Sequence, residues 1–232
     1  MITAGRGGRP GENRLELLRE NLEVVKHISQ KFTRYKGILI IVSNPVDVLT
    51  YYYQKYTGIP AHRVIGTGTM LDTARLRDML GSRLNITPRS IHAQVIGEHG
   101  DSEVVVWSKA TLASVALRQW QGWTQEDEKD LEDNLRKAAQ EIIRRKGATN
   151  HAIGLVTASL LGSILRDERR VLNLSTVLSG QFGFKEVALS LPCITSGSGI
   201  DQVLEIDLEE KELRALRHSS QVLVNAIRSV AQ

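Results

Sequence analysis

The sequence predicts an α/β fold that starts with a short parallel sheet and continues into an α+β region. Residues 12–69 alternate helix, strand, helix and strand, which is the order that builds a parallel sheet. Three β-rich segments then follow one another late in the chain without regular helices between them. This change of pattern indicates a second, α+β region after the parallel one.

Composition and charge exclude several classes of protein. The 232 residues are 41% hydrophobic and 24% charged, which is typical of globular proteins. The net charge is +4 with basic and acidic residues interspersed, so we expect no nucleic-acid partner. No apolar run is long enough to span a membrane, and the start MITAGRGG lacks the apolar core of a signal peptide. The single cysteine, Cys193, favours a reducing, cytoplasmic location.

The first third of the chain predicts two helices and two strands. Apolar residues spaced three and four apart predict an amphipathic helix over about 12–36. The run ILIIVS (38–43) is apolar on both faces, as a central parallel strand is. A second helix starts with VDVLTYYY and ends at Gly58, and VIGTGT (64–69) reads as another strand.

The remaining elements follow from helix signals and β-rich runs. We expect a helix over about 71–84, then strands IHAQVIG and EVVVW on either side of the turn GEHGDS. Thr124 and Asp127 have the spacing of a capping box at the start of a helix that ends at Gly147. The last elements expected are a helix over about 151–166, strands at 171–178, 186–192 and 203–208, and a C-terminal amphipathic helix.

A glycine-rich run, GRGGRPG (5–11), precedes the first helix and cannot itself be helical. It is interpreted either as a surface loop or as a mobile lid. The second interpretation rests on Arg6 and Arg9 within the run and on Arg14 directly after it.

His99 lies between two glycines in GEHGDS, at the end of an apolar strand. An imidazole presented by a tight turn is suited to proton exchange near neutral pH. An isolated histidine in such a place more often only caps the turn, so the functional interpretation depends on its neighbours.

Three further residues carry candidate chemistry. Asp72 and Arg75 lie one helical turn apart in LDTAR, either as functional groups on one face or as an ordinary ion pair. Asn44 follows a parallel strand, at the edge where α/β proteins bind ligands, although an asparagine before proline also suits a turn.

Together these segments resemble the L-2-hydroxy-acid dehydrogenases, closest to the L-lactate dehydrogenases and next to the malate dehydrogenases. The segments that carry the resemblance are TAG, RPGENRLELL, IIVSNPVDVLTY, RVIGTGTMLDTARLR, VIGEHGDS and KGATNHAIGL, and they cover essentially the whole chain in the order of the family. The resemblance implies a truncated Rossmann-type sheet (1–67) followed by a catalytic, substrate-binding domain (68–232). It also implies a homo-oligomer.

The resemblance assigns roles to five of these residues. His99 would exchange a proton with the substrate oxygen, and Asp72 would orient and stabilise its imidazole. Arg75 would bind the substrate carboxylate through two parallel hydrogen bonds. Arg14, carried on the glycine-rich lid, would polarise the substrate carbonyl, and Asn44 would bind the same oxygen.

The same resemblance implies an NAD site and an effector site. The residues expected to line the NAD site are Gly5, Arg6, Val42, Ser43, Asn44 and Thr67. Arg77 and His92 match positions where bacterial L-lactate dehydrogenases bind fructose 1,6-bisphosphate, the alternative being two solvated surface residues.

Two positions bear on the choice of 2-oxo acid. Gly8 stands where lactate enzymes commonly carry glutamine and malate enzymes carry arginine, so it departs from both patterns. Arg9 beside it keeps the malate interpretation open. Thr149, in KGATNHAIGL, is similar to the threonine of the lactate enzymes. The balance favours pyruvate and lactate.

The front of the family's cofactor domain is not matched by this sequence. Members begin with a strand, a GxGxxG turn and a helix, which together bind the pyrophosphate and adenosine. The first residues here resemble the fourth strand of the usual sheet, so we expect an exposed apolar edge at 1–4. Two interpretations remain: a fragment of an ordinary dehydrogenase, or a short protein that is a non-catalytic effector-binding or subunit remnant.

Overall fold

The computed structural model describes residues 1–5, 14–146 and 150–230, with side chains except at 14–17, 139–146 and 150. The described helices are α1 (Arg14–Ser29), α2 (Val46–Thr57), α3 (Met70–Leu84), α4 (Gln125–Lys146), α5 (Asn150–Leu165) and α6 (Glu210–Val230). The described strands are β1 (Leu39–Ile41), β2 (Val64–Gly66), β3 (Ile91–His92), β4 (Val95–Ile96), β5 (Val104–Val105), β6 (Thr111–Leu112), β7 (Val115–Ala116), β8 (Val171–Ser179), β9 (Lys185–Ser196) and β10 (Gly199–Val203). Within this part of the chain, no helix combines the length and apolar character needed to cross a membrane.

A five-stranded mixed sheet, ordered β1-β2-β8-β9-β10, forms the centre of the fold. β1 and β2 are parallel, and β8, β9 and β10 are antiparallel to their neighbours. Ile2 extends the parallel part, because its amide donates to Ile40 O at 2.7 Å and its carbonyl accepts from Val42 at 2.9 Å. The parallel and antiparallel parts meet through a single register pair, Gly66 and Ser175.

Each face of this sheet is covered by helices. On one face, the largest apolar cluster joins strand residues such as Leu39 and Leu189 to helix residues such as Leu22, Tyr53 and Leu216. On the other face, the cluster includes Ile40, Ile65, Leu174 and Leu160 of α5. The alternation of neighbouring side chains in β1 between the two faces explains why its sequence is apolar throughout.

A second apolar cluster lies between α3, α4 and the short strands. Leu76 and Leu80 of α3 pack with Trp107, and Leu131 and Leu135 of α4 complete the cluster. Strands β4 and β5 pair antiparallel, and Gly97 after β4 bridges to Ser190 of β9. This bridge attaches the turn that carries His99 to the central sheet.

Most predicted elements are confirmed, several of them with other bounds, and the sequence does not predict β6 and β7. The first helix ends at Ser29 with a 3-10 turn to Phe32, and IHAQVIG divides into β3 and β4. The strand expected at 203–208 is wrong: β10 lies at Gly199–Val203, because a tight turn after Ser196 returns the chain at once along β9.

The predicted helix ends are supported by their local bonds. Gly58 ends α2 in the left-handed conformation (φ 66°) and donates to Gln54 O. Thr124 and Asp127 form the reciprocal capping box, at 2.8 and 3.3 Å. Gly147 lies outside the described residues.

The expectation of an exposed apolar edge at 1–4 is wrong for its central side chain. Ile2 is only 6% exposed, because its side chain packs in the cluster that also holds Leu18 and Leu22 of α1. Met1, by contrast, is exposed.

Candidate active site

The carboxyl ends of three parallel segments meet at one edge of the central sheet. The segment of Ile2 ends at Gly5, β1 leads into Ser43, and β2 leads into Thr67. The Ser43 hydroxyl donates to Ala4 O at 2.6 Å, and the Thr67 amide donates to Ile41 O at 3.0 Å. These bonds tie the ends together at the edge where open α/β sheets bind ligands.

Asn44 lies at the same edge, immediately before α2. Its side chain is exposed and its Oδ1 accepts the Val46 amide at 3.3 Å, which gives it a role in the turn. The peptide bond between Asn44 and Pro45 is cis. The turn interpretation of this asparagine is therefore supported by its bond to Val46, and its exposed side chain leaves the ligand-binding interpretation as a prediction.

The turn that carries His99 is held by hydrogen bonds from several elements. The amides of Gly97 and Ser190 exchange bonds of 2.8 and 3.0 Å with each other's carbonyls. The Glu98 amide donates to Ser219 Oγ of α6 at 2.7 Å, and the His99 amide donates to Asp47 Oδ2 of α2 at 2.8 Å. The backbone at His99 is thus fixed against β9, α6 and α2.

The His99 ring meets Asp72, as the sequence motifs suggest. His99 Nδ1 and Asp72 Oδ2 are 2.5 Å apart, and Asp72 Oδ1 lies 3.4 Å from an Arg75 guanidinium nitrogen. The Asp72 side chain is 5% exposed, whereas His99 is 24% exposed. The carboxylate is therefore buried between two cationic groups, and the imidazole remains accessible to a small molecule.

The environment of His99 favours its protonated form. Burial by itself lowers the pKa of the imidazole, but the charge and hydrogen bond of Asp72, helped by Asp47 and Glu103, raise it to about 9. The ring is therefore an imidazolium near neutral pH, ready to donate a proton.

Two further buried acids surround this pair. Burial raises the pKa of Asp47 to about 6, against the opposing effects of the Ser175 hydroxyl and the His99 amide. Burial and the nearby charge of Asp72 raise the pKa of Glu103 to about 8. Both acids are almost inaccessible to solvent, so each acts on His99 with little screening by water once it is ionised.

Comparison with known proteins agrees with this architecture. Residues 1–66 match the family model for the lactate/malate dehydrogenase NAD binding domain, and residues 69–232 match the model for the alpha/beta C-terminal domain of the same family. The chain belongs to the lactate/malate dehydrogenase family.

Several members of this family match nearly all of the chain. L-lactate dehydrogenase from Synechococcus sp. (strain JA-3-3Ab) is 44% identical over 99% of this chain and 76% of its own length. The Fervidobacterium nodosum enzyme of the same name is 45% identical over the same shares. Minor L-lactate dehydrogenase from Enterococcus mundtii, solved with ligands bound, has a TM-score of 0.94 at 35% identity and covers 98% of this chain and 74% of that one. The chain spans about three quarters of the length of these relatives.

Most of the residues expected at the NAD site of this dehydrogenase-family chain lie at the carboxyl edge of the parallel strands. Gly5 has φ 149°, a backbone conformation that residues with a side chain rarely adopt, and a Cβ there would be in ordinary van der Waals contact with the Ser43 side chain, 3.4 Å away. Val42 and Ser43 are half-buried, and Thr67 is buried. Arg6 lies outside the described residues.

Three of the expected substrate-binding positions fall outside the described side chains. Gly8 and Thr149 lie outside the described residues. Arg14 is the first residue of α1, but its side chain is not described. Their roles in this member of the family stay predictions.

Arg77 and His92 line one open pocket of about 590 Å³. Arg77 is half-buried and its Nε donates to Ala93 O at 2.8 Å, so it is not a freely solvated side chain. Lys109 and Arg170 line the same pocket. Burial, together with the charge of Arg170, lowers the pKa of Arg77.

Sequence reasoning missed four residues around these sites. Asp47 belongs to the NPVD motif, and an acid at the edge of an apolar run is the sequence signal that could have indicated a buried acid there. Glu103 opens the apolar run EVVVW in the same way. Lys109 carries no signal in the local sequence, and Arg170 carries only its place in an arginine pair before a strand.

Proposed function

We propose that this chain carries the proton-transfer and substrate-binding residues of an NAD-dependent 2-hydroxy-acid dehydrogenase, with pyruvate and L-lactate as substrate and product. The contact of 2.5 Å between His99 Nδ1 and Asp72 Oδ2 supports this proposal most directly. A buried carboxylate that stabilises an accessible imidazolium is the arrangement that proton transfer to a carbonyl oxygen requires. Oxaloacetate and malate are the alternative pair, because Gly8 excludes neither substrate.

In this proposal, His99 acts as the proton donor during reduction of the 2-oxo acid. When bound, NAD supplies or accepts the hydride at the substrate carbon. The proton moves from the imidazolium to the carbonyl oxygen, which becomes the hydroxyl of the product. In the reverse direction, neutral His99 accepts the hydroxyl proton, and Asp72 stabilises the resulting imidazolium.

Substrate orientation is assigned to cationic and amide side chains. Arg75 would exchange its long contact of 3.4 Å with Asp72 for a bidentate pair with the substrate carboxylate. Asn44 would donate to the reacting oxygen, and Arg14 would polarise it. Gly8 and Thr149 are proposed to contact the group at the third carbon of the substrate.

The proposed cofactor site is the carboxyl edge of the parallel strands. The residues assigned to it are Gly5, Arg6, Val42, Ser43, Asn44 and Thr67. We assign residues 1–67 to the NAD-binding part and residues 68–232 to the catalytic domain. The proposal includes assembly as a homo-oligomer and, because Cys193 is unpaired, a cytoplasmic location.

The pocket lined by Arg77 and His92 is proposed to bind fructose 1,6-bisphosphate as an effector. Arg170 and Lys109 add positive charge beside them, which suits a phosphate. Calorimetry with the sugar bisphosphate is expected to show binding that Arg77→Gln weakens. Arg89→Gln, at an exposed arginine, is the matched control. Equal affinity of both variants would contradict the assignment.

The decisive experiment is a fluorescence titration of the chain with NADH, followed by NADH oxidation with pyruvate and with oxaloacetate. NADH binding with faster turnover of pyruvate is the expected result. His99→Gln should abolish turnover and leave NADH affinity nearly unchanged, because the imidazole moves a proton and does not hold the cofactor.

Other outcomes separate the alternatives. Faster turnover of oxaloacetate would favour the malate assignment. Binding of the sugar bisphosphate without any NADH binding would instead favour an effector-binding remnant, and the proposal of dehydrogenase activity for this chain would fail.

A further inference from the structure

Helix α3 and strand β4 carry the two partners of the contact between Asp72 and His99. Asp72 lies in the first turn of α3, and β4 leads through Gly97 into the histidine turn. Because the backbone groups of a helix bond within the helix, the position of α3 against β4 is set by side chains. Thr73, next to Asp72, and Val95, the first residue of β4, are both buried where the two elements meet.

A buried side-chain amide from β8 joins these two elements. Asn173 Nδ2 donates to Thr73 Oγ1 at 2.9 Å and to Val95 O at 3.0 Å. The Val95 amide donates to the same Thr73 hydroxyl at 3.0 Å, so the three residues are bonded to one another in a closed set. Thr69, which precedes α3, adds a bond from its hydroxyl to Val95 O at 2.6 Å. We call Asn173, Thr73 and Val95 the amide clamp.

Neither strand pairing nor the apolar core explains an asparagine at this position of β8. Asparagine is depleted in strands, and Leu172 and Leu174 on either side of it pack in an apolar cluster. The register partner of Asn173 in β9 is Pro192, which has no backbone N–H. Asn173 is 6% exposed, and burial of an amide is costly unless the amide is hydrogen-bonded. The hydrogen bonds described for its Nδ2 are those to α3 and β4.

We propose that Asn173 is a positioning residue, whose amide holds α3 against β4 and thereby keeps Asp72 in contact with the His99 ring. The inference rests on the proposed function, because the placement of Asp72 matters for activity only if His99 transfers a proton. A small shift of α3 relative to β4 would lengthen the contact of 2.5 Å between Asp72 Oδ2 and His99 Nδ1. Such a shift would weaken the contact, since both the hydrogen bond and the attraction between charges depend on distance.

The titration of His99 reports the placement of Asp72. Burial lowers the pKa of His99, and the charge and hydrogen bond of Asp72, with the charges of Asp47 and Glu103, raise it to about 9. Arg75 pairs with Asp72 from the same helix. The residues of the amide clamp carry no charge. Replacing one of them with another neutral residue therefore removes no charge, and the His99 midpoint can move only if the groups around the ring move.

The test is a nuclear magnetic resonance titration of the His99 imidazole in the ¹⁵N- and ¹³C-labelled chain, without cofactor or substrate. His99→Gln assigns the imidazole signals among the six histidines. Asn173→Leu removes both bonds of the amide and is expected to lower the imidazole midpoint by about half a unit or more. Thr176→Val is the matched control, because it removes another buried bond of β8, from Thr176 Oγ1 to Ala61 O at 3.1 Å, which involves neither α3 nor β4. This control should lower the urea midpoint of unfolding and leave the imidazole midpoint unchanged.

A second pair of variants tests the amide clamp from α3. Thr73→Val keeps the shape of the side chain but removes the oxygen that accepts from Asn173, so it should lower the imidazole midpoint as Asn173→Leu does. Thr73→Ser keeps the hydroxyl and should leave the midpoint unchanged. Each pair decides the proposal by itself, so failure of one variant to fold does not prevent a decision.

The proposal is overturned if the imidazole midpoint in Asn173→Leu or in Thr73→Val equals that of the unmodified chain. It is also overturned if Thr176→Val shifts the midpoint as far as Asn173→Leu, since the shift would then reflect a general loosening of the sheet. Because no cofactor is used, a chain that shows the expected shifts but binds no NADH would refute the proposed function and leave the positioning role standing.

Discussion

Replacement of Asp72 by asparagine is expected to change the charge state of His99 more than any other single substitution. Asparagine has nearly the same shape, but it cannot supply the charge that raises the histidine pKa to about 9. Burial of the ring lowers the pKa of His99, and without the charge of Asp72 less opposes this effect. The pKa should therefore fall by about two units or more, towards the ordinary value near 6.5.

The size of this change in protonation follows from the two pKa values of His99, about 9 with Asp72 and near 6.5 without it. At pH 7.5, about 97% of His99 is protonated with a pKa of about 9, against about 9% with a pKa of 6.5. The difference of about 2.5 units corresponds to about 3 kcal/mol in favour of the protonated ring. Because the pKa is higher in the folded chain than in the unfolded one, this stabilisation is complete below pH 6.5 and is lost as the pH rises to 9.

Two measurements check the prediction. Nuclear magnetic resonance titration of the His99 imidazole should place its midpoint near 9 in the unmodified chain and at least about two units lower in Asp72→Asn. Urea unfolding at pH 6 and pH 9.5 should show a fall in the free energy of unfolding that is smaller in the variant. Asp78→Asn, at an exposed position of the same helix, is the control. If the variant's midpoint stayed within about half a unit of the original, the role assigned to Asp72 would be wrong.

Three other substitutions and treatments have definite expected outcomes. Burial raises the pKa of the Cys193 thiol to about 12, so a thiol reagent at pH 8 should label it only in denaturant, as measured by mass spectrometry. Thr124→Ala breaks the capping box with Asp127 and should reduce the free energy of unfolding by about 1 kcal/mol in urea. Gly68→Ala should lower the melting temperature strongly, because Gly68 has φ 48° and a Cβ would lie 2.7 Å from the backbone nitrogen of Ser175.

Each of these outcomes can be contradicted directly. Rapid labelling of native Cys193 would mean that the strand around it opens readily. An unchanged urea midpoint for Thr124→Ala would mean that the cap contributes nothing. Gly162→Ala, where a Cβ would meet no atom within 4 Å, is the control for Gly68→Ala, and equal melting temperatures of the two would refute the steric argument.

Local sequence patterns were enough to place most elements, because each depends on neighbours along the chain. The apolar spacing of α1, the left-handed Gly58 and the capping box at Thr124 all act within one or two turns. The strand predicted at 203–208 is wrong because the position of β10 depends on pairing with another strand and not on a local pattern. Its position is set by the turn after Ser196 and by pairing with β9, and VLEIDL only looks more strand-like than the residues that pair.

The candidate site was predicted as a set of residues but not as a geometry. The motifs identified His99, Asp72, Arg75 and Asn44, whereas the contact of Asp72 with His99 depends on how α3 packs beside the turn after β4. Asp47 was missed because its partner is a backbone amide, and no side-chain pattern announces such a bond. The pocket that brings Arg170 beside Arg77 likewise joins α3 to the start of β8, two elements that are far apart in sequence.

The narrow seam between the parallel and antiparallel strands has a consequence for how the chain loses its structure. Only Gly66 and Ser175 are paired across it, which would let the two parts of the sheet separate if backbone bonds alone held them. The apolar cluster crosses the seam, however, joining Val46 and Leu39 on one side to Leu189 and Leu216 on the other. Neither part can melt without exposing the other's interior, so slowly exchanging amides of β1 and β9 should report one common opening event.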